Sequence, residues 1–219
     1  MASARELERF LQSLGRALTD AAAAASDAAT ASGVGHLAAI TRSVAASVSA
    51  RAAEGSERLP VCRFWDRALD DARQAGTSLA DSLDALAASL SWTQNPNYRR
   101  QPPDAGFLDH YGYAVIVGPA EGPPALAVDP RAAIGVLLLG PPTHYPLHSH
   151  PAVEVYYTLT REGEWWRGSG PWRSEPAGAA IYHAPTIPHA TRTGDAPLLA
   201  IYVWTGDLAT HASLRPSRE

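Results

Sequence analysis

The segment from Tyr145 to Tyr156, together with a histidine far downstream, places the strongest constraint on how this chain can fold. It reads Tyr-Pro-Leu-His-Ser-His-Pro-Ala-Val-Glu-Val-Tyr and contains His148, His150 and Glu154. In an extended conformation, side chains at even separations share one face, so these three are expected to point the same way. A fold that brings in His189 from a distant strand would add a third imidazole. The sequence therefore predicts a metal site formed by His148, His150, Glu154 and His189.

This donor set suits a divalent transition metal, and zinc, iron, manganese, nickel and cobalt all remain open. A bare His-x-His pattern more often belongs to structural or surface histidines. The metal interpretation depends on a conjunction: a carboxylate at Glu154, the apolar Val153 and Val155 on the opposite face, and a Pro-rich turn before His189. We therefore expect one divalent metal ion per chain as the cofactor.

Two motifs around these residues resemble those of a known family. His148-Ser-His150-x-x-x-Glu154, followed by a glycine, resembles the first cupin motif, and Gly178, Pro185 and His189 resemble the second. Prolines stand where the motif glycines usually fall, and a threonine replaces the usual asparagine. The resemblance implies a C-terminal cupin double-stranded β-barrel with the metal inside, held by the three histidines and the glutamate.

The flanking residues are similar to one branch, the cupin-type dimethylsulfoniopropionate lyases. The similarity lies in Tyr145-Pro-x-His148-x-His150-x-x-x-Glu154-x-Tyr156, in Trp204 after the second motif, and in a helical N-terminal half. It implies a carbon–sulfur lyase that removes the α-proton of a small zwitterionic substrate and releases dimethyl sulfide, leaving acrylate. No redox step is needed.

Tyrosine and tryptophan side chains are the further candidates for the reaction. From the residues alone, Tyr156 is either a general base or a packed hydrogen-bond donor, and the resemblance implies the base. A sulfonium cation is best held against aromatic faces, for which Tyr145 and Trp204 match the family positions. Tyr145 is also a second catalytic candidate, and His148 is assigned to substrate binding as well as to the metal. The remaining histidines receive no role: His36, His110, His144, His183 and His211.

Other functions are compatible with the same ligands. Iron dioxygenases and metal-dependent isomerases share this set, and a non-enzymatic cupin that binds a small ligand is a third alternative. The net charge of -4, a pI near 6.0 and the absence of a basic stripe argue against a nucleic-acid partner. No apolar run is long enough to span a membrane, and a single cysteine, Cys62, allows no internal disulfide, so a cytoplasmic protein is expected.

The N-terminal half has helical periodicity, whereas the C-terminal half has short apolar runs bounded by Gly and Pro. We therefore expect a helical region over residues 1–105 and a mainly β cupin domain over 106–219. Helices are predicted over about 3–19, 36–53, 63–73 and 77–90, with Gly33 and Gly35 as a break. The apolar stripe from Leu7 to Leu18 could bind a membrane surface, but its flanking charges are mixed rather than basic, which favours a stripe that faces the core or a second chain. A homodimer is the predicted assembly.

Overall fold

The computed structural model describes residues 2–50, 57–161 and 163–216. Helices dominate its N-terminal part, and two β-sheets form the rest. The helices are α1 (Ala4–Ala24), α2 (Ala28–Ser47), α3 (Trp65–Gln74), α4 (Ala80–Asp84), α5 (Pro96–Arg100) and α6 (Phe107–His110), with 3-10 turns at Pro60–Phe64 and Ala87–Ser89. The predicted mainly β body with a helical N-terminal region is thus confirmed.

Helix α1 begins with a capping box: the Ser3 hydroxyl accepts from the Glu6 backbone N–H, and the Glu6 carboxylate accepts from the Ser3 N–H. Its predicted apolar stripe is buried and packs against α2 in the interior of the chain. The core-facing alternative for this stripe is therefore correct, and the homodimer remains a prediction.

The expected break at Gly33 and Gly35 is wrong, because both glycines lie inside α2. At position 33 a β-carbon would overlap the ring of Tyr182 on the sheet below, so glycine allows the helix to approach closely. That packing offsets the cost of a glycine in a helix, about 1 kcal/mol. Helix α2 ends at Ser47, earlier than predicted, and positions 51–53 of the predicted helix lie outside the described residues.

The described strands form two sheets, in which neighbouring strands are antiparallel except for one parallel pair. The larger sheet has the order β1-β2-β4-β11-β6-β9, with β3 paired in parallel to β2, and the smaller has the order β12-β5-β10-β7-β8. The strands are β1 (Trp92–Thr93), β2 (Tyr111–Gly118), β3 (Ala125–Val128), β4 (Ala133–Leu139), β5 (His144–Ser149), β6 (Val153–Thr158), β7 (Glu164–Arg167), β8 (Arg173–Ser174), β9 (Ala180–His183), β10 (His189–Arg192), β11 (Leu198–Thr205) and β12 (Ser213–Leu214). The inner faces of the two sheets enclose the interior of a cupin barrel.

The larger sheet separates two hydrophobic clusters. Its outer side chains join the buried residues of α1 and α2 in one cluster, whereas its inner side chains join aromatic residues of the smaller sheet in another. The first cluster contains residues from both sides of position 105, so helices and barrel share a core. The division into regions 1–105 and 106–219 remains a prediction.

The segment 145–156 is not one strand, so the prediction that His148, His150 and Glu154 share one strand face is wrong. Its first part lies in β5 of the smaller sheet and its last part in β6 of the larger sheet, with a turn at 150–152. His148 and Glu154 therefore approach each other from opposite walls of the barrel. Among the described residues, no helix combines the length and apolarity needed to cross a membrane.

Candidate active site

Glu154 occupies the middle of a row that runs across three adjacent strands. In the antiparallel register it stands opposite Trp204 of β11 on one side and His183 of β9 on the other. Directly opposed residues have β-carbons about 5 Å apart and point to the same face. The register of the larger sheet therefore places an indole, a carboxylate and an imidazole side by side, facing inward.

Histidines from the smaller sheet meet this row. His189 and His148 are register partners on β10 and β5, and their ring centroids lie 4.1 Å apart. His150 follows β5 at the turn between the sheets. The ligand atoms of His150, Glu154 and His189 all lie within 4.8 Å of one another, and all three residues are buried. His148 stands beside this trio, with its ring centroid 6.4 Å from that of His150.

The three histidines predicted as ligands share one anchoring contact. In each, the ring Nδ1 lies within 3.1 Å of a nearby backbone carbonyl oxygen: Pro146 for His148, Ala152 for His150 and Ile187 for His189. Because a carbonyl oxygen only accepts hydrogen bonds, each Nδ1 carries a proton. This arrangement leaves the lone pair of Nε2 available to bind a metal ion, and it is typical of metal-binding histidines.

The contacts around Glu154 fit a bound cation. Its Oε2 lies 3.2 Å from Nε2 of His150 and 3.3 Å from Nε2 of His189. Neutral imidazoles with a proton on Nδ1 would direct their Nε2 lone pairs at the carboxylate. Lone pairs and a carboxylate repel each other, so a positive charge has to lie between them. Two ligand atoms each about 2.0–2.1 Å from a tetrahedral zinc ion are separated by about 3.3 Å, which matches both distances. Within the described part of the chain, the buried Nε2 of His189 also has no hydrogen-bond partner.

Burial and neighbouring groups set the ionisation of the site. Burial alone would raise the pKa of Glu154, but the neighbouring His150 and the hydrogen bond from His183 hold it well below its usual value. Burial, reinforced by His189, lowers the pKa of His183 to about 3 despite its hydrogen bond with Glu154. The same two causes hold the pKa of His148 well below its usual value. At neutral pH, Glu154 is therefore a carboxylate, and His148 and His183 are neutral imidazoles.

A cavity of about 600 Å³ opens above this centre. Aromatic side chains form much of its wall, and Glu154 is among its lining residues. The described lining residues include Tyr111, Tyr113, Tyr145, Tyr156, Tyr202 and Trp204, together with the acidic Glu121 and Asp207, but no arginine. An anionic substrate group would thus find no fixed positive side chain in the lining.

Tyr156, the predicted base, lies two residues beyond Glu154 on β6 and on the same face of the sheet. Tyr156 is the register partner of Tyr202 and lines the cavity. Burial, with the charge of Glu154 as the next cause, raises the pKa of the Tyr156 hydroxyl well above 10. The group is a phenol at neutral pH, so it can act as a base only where additional positive charge stabilises the phenolate.

Both aromatic residues predicted to hold a cation are backed by an imidazole. The ring of Tyr145 stacks on His148 at 4.0 Å, and the indole of Trp204 stacks on His150 at 4.1 Å. The Tyr145 hydroxyl donates to the hydroxyl of the buried Tyr98 on α5, at 3.3 Å. A cation can meet only the ring face that the imidazole leaves uncovered.

His183 receives no role from the sequence, but the structure places this residue at the centre of the site. Its Nδ1 donates to Oε2 of Glu154 at 2.8 Å. Its position at the end of a predicted strand, just before the turn that leads to His189, was the available signal. His211 is among the residues that line the cavity, His144 contacts Trp172, and His110 contacts Phe64.

A family model and curated relatives match this chain. The model described as dimethylsulfoniopropionate lyase covers residues 35–200. Dimethylsulfoniopropionate lyase DddQ of Ruegeria pomeroyi is 33% identical over 153 residues, which are 70% of this chain and 73% of DddQ. Putative dimethylsulfoniopropionate lyase DddL of Cereibacter sphaeroides is 32% identical over 149 residues, 67% of this chain and 60% of DddL, so the match spans less than two thirds of DddL.

Solved structures share the fold. The crystal structure of DMSP lyase DddQ from Ruegeria pomeroyi has a TM-score of 0.62 and 23% identity, and covers 84% of this chain and 96% of that one. A structure from work on the DMSP lyases RdDddP and RnDddQII has a TM-score of 0.67 and 21% identity, over 98% of this chain and 100% of that one. Helical region and barrel thus recur together in these proteins.

Proposed function

The chain belongs to the dimethylsulfoniopropionate lyase family, and on that premise we propose that it cleaves dimethylsulfoniopropionate to acrylate and dimethyl sulfide in the aromatic cavity. Enzymes of this family are carbon–sulfur lyases. The observation that carries the proposal is the convergence of His150 and His189 on Glu154, which lines a cavity whose described lining has aromatic and acidic side chains but no arginine.

The two ends of the substrate require opposite environments. A sulfonium cation is attracted by aromatic faces and by negative charge. The cavity lining offers the aromatic Tyr145 and Trp204 and the acidic Glu121 and Asp207. The carboxylate needs positive charge, which the described lining side chains do not supply. The centre of His150, Glu154 and His189 is chemically suited to bind a divalent metal ion, and this ion would supply the positive charge.

We assign the metal ligands to His150, Glu154 and His189, with His148 as the fourth ligand and a neighbour of the bound substrate. A divalent ion in this position would polarise the substrate carboxylate, acidify the adjacent C–H bond and favour the phenolate form of Tyr156. The carbonyl contacts at Nδ1 keep the imidazole lone pairs directed inward, so these residues hold their orientation before binding.

Tyr156 is proposed as the general base. Its oxygen takes the α-proton, the electron pair of the broken Cα–H bond forms the Cα=Cβ double bond, and the Cβ–S bond breaks with its electron pair remaining on sulfur. The products are acrylate and dimethyl sulfide, and no electron acceptor is needed. The aromatic walls limit the water that can compete for the base.

Headspace measurement of dimethyl sulfide, with acrylate quantified in the same sample, tests the proposed function. Purified protein supplied with dimethylsulfoniopropionate should release both products in equal amounts. A chelator should stop the release, and a divalent metal should restore it. Consumption of oxygen without dimethyl sulfide would instead favour the dioxygenase chemistry that the same ligands can serve.

A His189→Ala variant tests the metal assignment separately. Loss of this imidazole removes one of the four proposed ligands, so most of the bound metal should be lost, as measured by elemental analysis after gel filtration. His110→Ala is the matched control, because His110 is outside the metal centre. Full metal occupancy in the His189→Ala protein would remove His189 from the ligand set.

A further inference from the structure

Glu154 is held at both carboxylate oxygens by its two neighbours in the sheet row. Nδ1 of His183 donates to Oε2 at 2.8 Å, and Nε1 of Trp204 donates to Oε1 at 2.5 Å. Glu154 has no exposed surface, and His183 has 1%. Each oxygen therefore has one fixed donor, and together the two donors define the plane of the carboxylate.

The same two residues also support the imidazoles of the metal centre. The ring of His183 stacks on His189 with centroids 3.9 Å apart and an interplanar angle of 21°. The indole of Trp204 stacks on His150 at 4.1 Å. Each of the two residues thus contacts the carboxylate through a hydrogen bond and one candidate ligand ring through its face.

His183 differs from the other histidines of the site in what its Nδ1 contacts. The rings of His148, His150 and His189 are anchored to backbone carbonyls and present Nε2. His183 instead commits its Nδ1 proton to Glu154. This is the contact expected of a residue that orients a ligating carboxylate, because such carboxylates are themselves hydrogen-bonded.

We propose that His183 and Trp204 are a pair of positioning residues whose N–H groups fix the Glu154 carboxylate in the geometry that binds the metal. The inference rests on the metal centre of the proposed function and adds to it two residues that act through Glu154. It also gives Trp204 a role that depends on its N–H group, whereas a role in holding the substrate cation depends on the ring face.

Substitutions can separate the N–H groups from the rings. His183→Leu replaces the imidazole with an apolar side chain that has no N–H group. His183→Asn keeps an N–H group, because its amide nitrogen is bonded to Cγ as Nδ1 is in histidine. Trp204→Phe keeps an aromatic face and removes the indole N–H. His110→Leu is the matched control, because it replaces a histidine that lies away from Glu154. Circular dichroism of the metal-free proteins checks that each variant folds.

The measurement is the affinity for Co²⁺, by competition with a chromophoric chelator, together with the visible spectrum of the Co²⁺-loaded protein. Loss of an orienting partner typically weakens metal binding by about 10- to 100-fold, so His183→Leu and Trp204→Phe should fall in that range. His183→Asn and His110→Leu should stay close to the unmodified protein, in affinity and in spectrum.

Two results would overturn the inference while the metal centre stood. Equal Co²⁺ affinity in His183→Leu and the unmodified protein would mean that His183 positions nothing. An equally large loss in His183→Asn would mean that the imidazole itself is required, as for a ligand. If the unmodified protein bound no Co²⁺, the proposed metal centre would fail instead.

The hydrogen bonds can then be tested without metal. In the metal-free protein, the indole N–H proton resonance of Trp204, assigned by its loss in Trp204→Phe, should move upfield in Glu154→Gln, because a neutral amide accepts more weakly than a carboxylate. An unchanged resonance would show that the hydrogen bond to Glu154 is not formed in solution, and this would overturn the positioning role of Trp204 whether or not metal binds.

Discussion

The two faces of the larger sheet are built from the same strands and differ in almost every other respect. Along β11, Leu199, Ile201 and Val203 point outward into the apolar layer under α1 and α2, while Tyr202 and Trp204 point inward to the cavity. In β6, outward valines likewise alternate with inward Glu154 and Tyr156. Residues next to each other in the chain therefore face different environments.

The contrast shows how this fold separates stability from chemistry. The outer face buries aliphatic side chains against helices, which contributes about 25 cal/mol per Å² of apolar surface. The inner face buries a carboxylate, imidazoles and phenols, which is costly unless each polar group has a partner. Because strand side chains alternate with a period of two, substitutions one position apart should affect different properties.

The largest effect is expected on the inner face, at Tyr156. Tyr156→Phe deletes one oxygen and keeps the ring, so folding and metal content should be retained. A positioned acid or base contributes about 10²- to 10⁴-fold, and the loss should appear in kcat more than in KM. Steady-state release of dimethyl sulfide measures it, with metal content determined on the same sample.

Turnover above about a tenth of the unmodified rate, with metal in place, would contradict the assignment of Tyr156 as the base, since a positioned base contributes at least about 10². Tyr145 would then be the next residue to test. Loss of metal in Tyr156→Phe would instead identify the phenol as a ligand.

A substitution on the outer face of the larger sheet should lower stability and leave turnover unchanged. Ile201 is completely buried under the helices and immediately precedes the cavity residue Tyr202. Ile201→Ala should lower the free energy of unfolding by about 2–5 kcal/mol, because it removes buried methyl groups and leaves a cavity. Urea denaturation measures the loss. The turnover of the remaining folded protein should be unchanged, and a large fall in kcat would show that the two faces are coupled.

A smaller effect is expected where the aromatic wall contacts the substrate cation. Tyr145→Leu removes the ring, and cation–π contacts contribute about 0.5–2 kcal/mol, so KM should rise by up to about 30-fold. Tyr145→Phe keeps the ring face and loses only the hydroxyl bonded to Tyr98. If both variants raised KM equally, the hydroxyl rather than the ring would hold the substrate.

Local patterns in the sequence predicted much of the fold. The stripe from Leu7 to Leu18 repeats at three and four residues, which requires a helix with one buried face, and the structure has that helix. Short apolar runs bounded by Gly and Pro predicted most of the strands, among them β4 and β11. The pairing of β3 and of β12 was not predicted, because both are short segments in turn-rich, polar surroundings.

Glycine and histidine show where local patterns fail. Local propensity predicts a helix break at Gly33, because it cannot anticipate that Tyr182 lies against that point of α2. His183 was given no role because it lies outside both motifs. Its contact with Glu154 arises only when β9 pairs with β6 in one particular register. A one-residue slip in that pairing would turn the imidazole to the other face.

The sequence by itself determined the chemical inventory: a cluster of histidines with a glutamate, aromatic side chains for a cation, and alternating strands to carry them. Only the tertiary structure decided how these residues meet, because His148 and Glu154 belong to different sheets and approach across the barrel interior. Spacing along a chain fixes which face a side chain takes within one strand. Which strands become neighbours depends on the burial of the whole core, and no short motif contains that information.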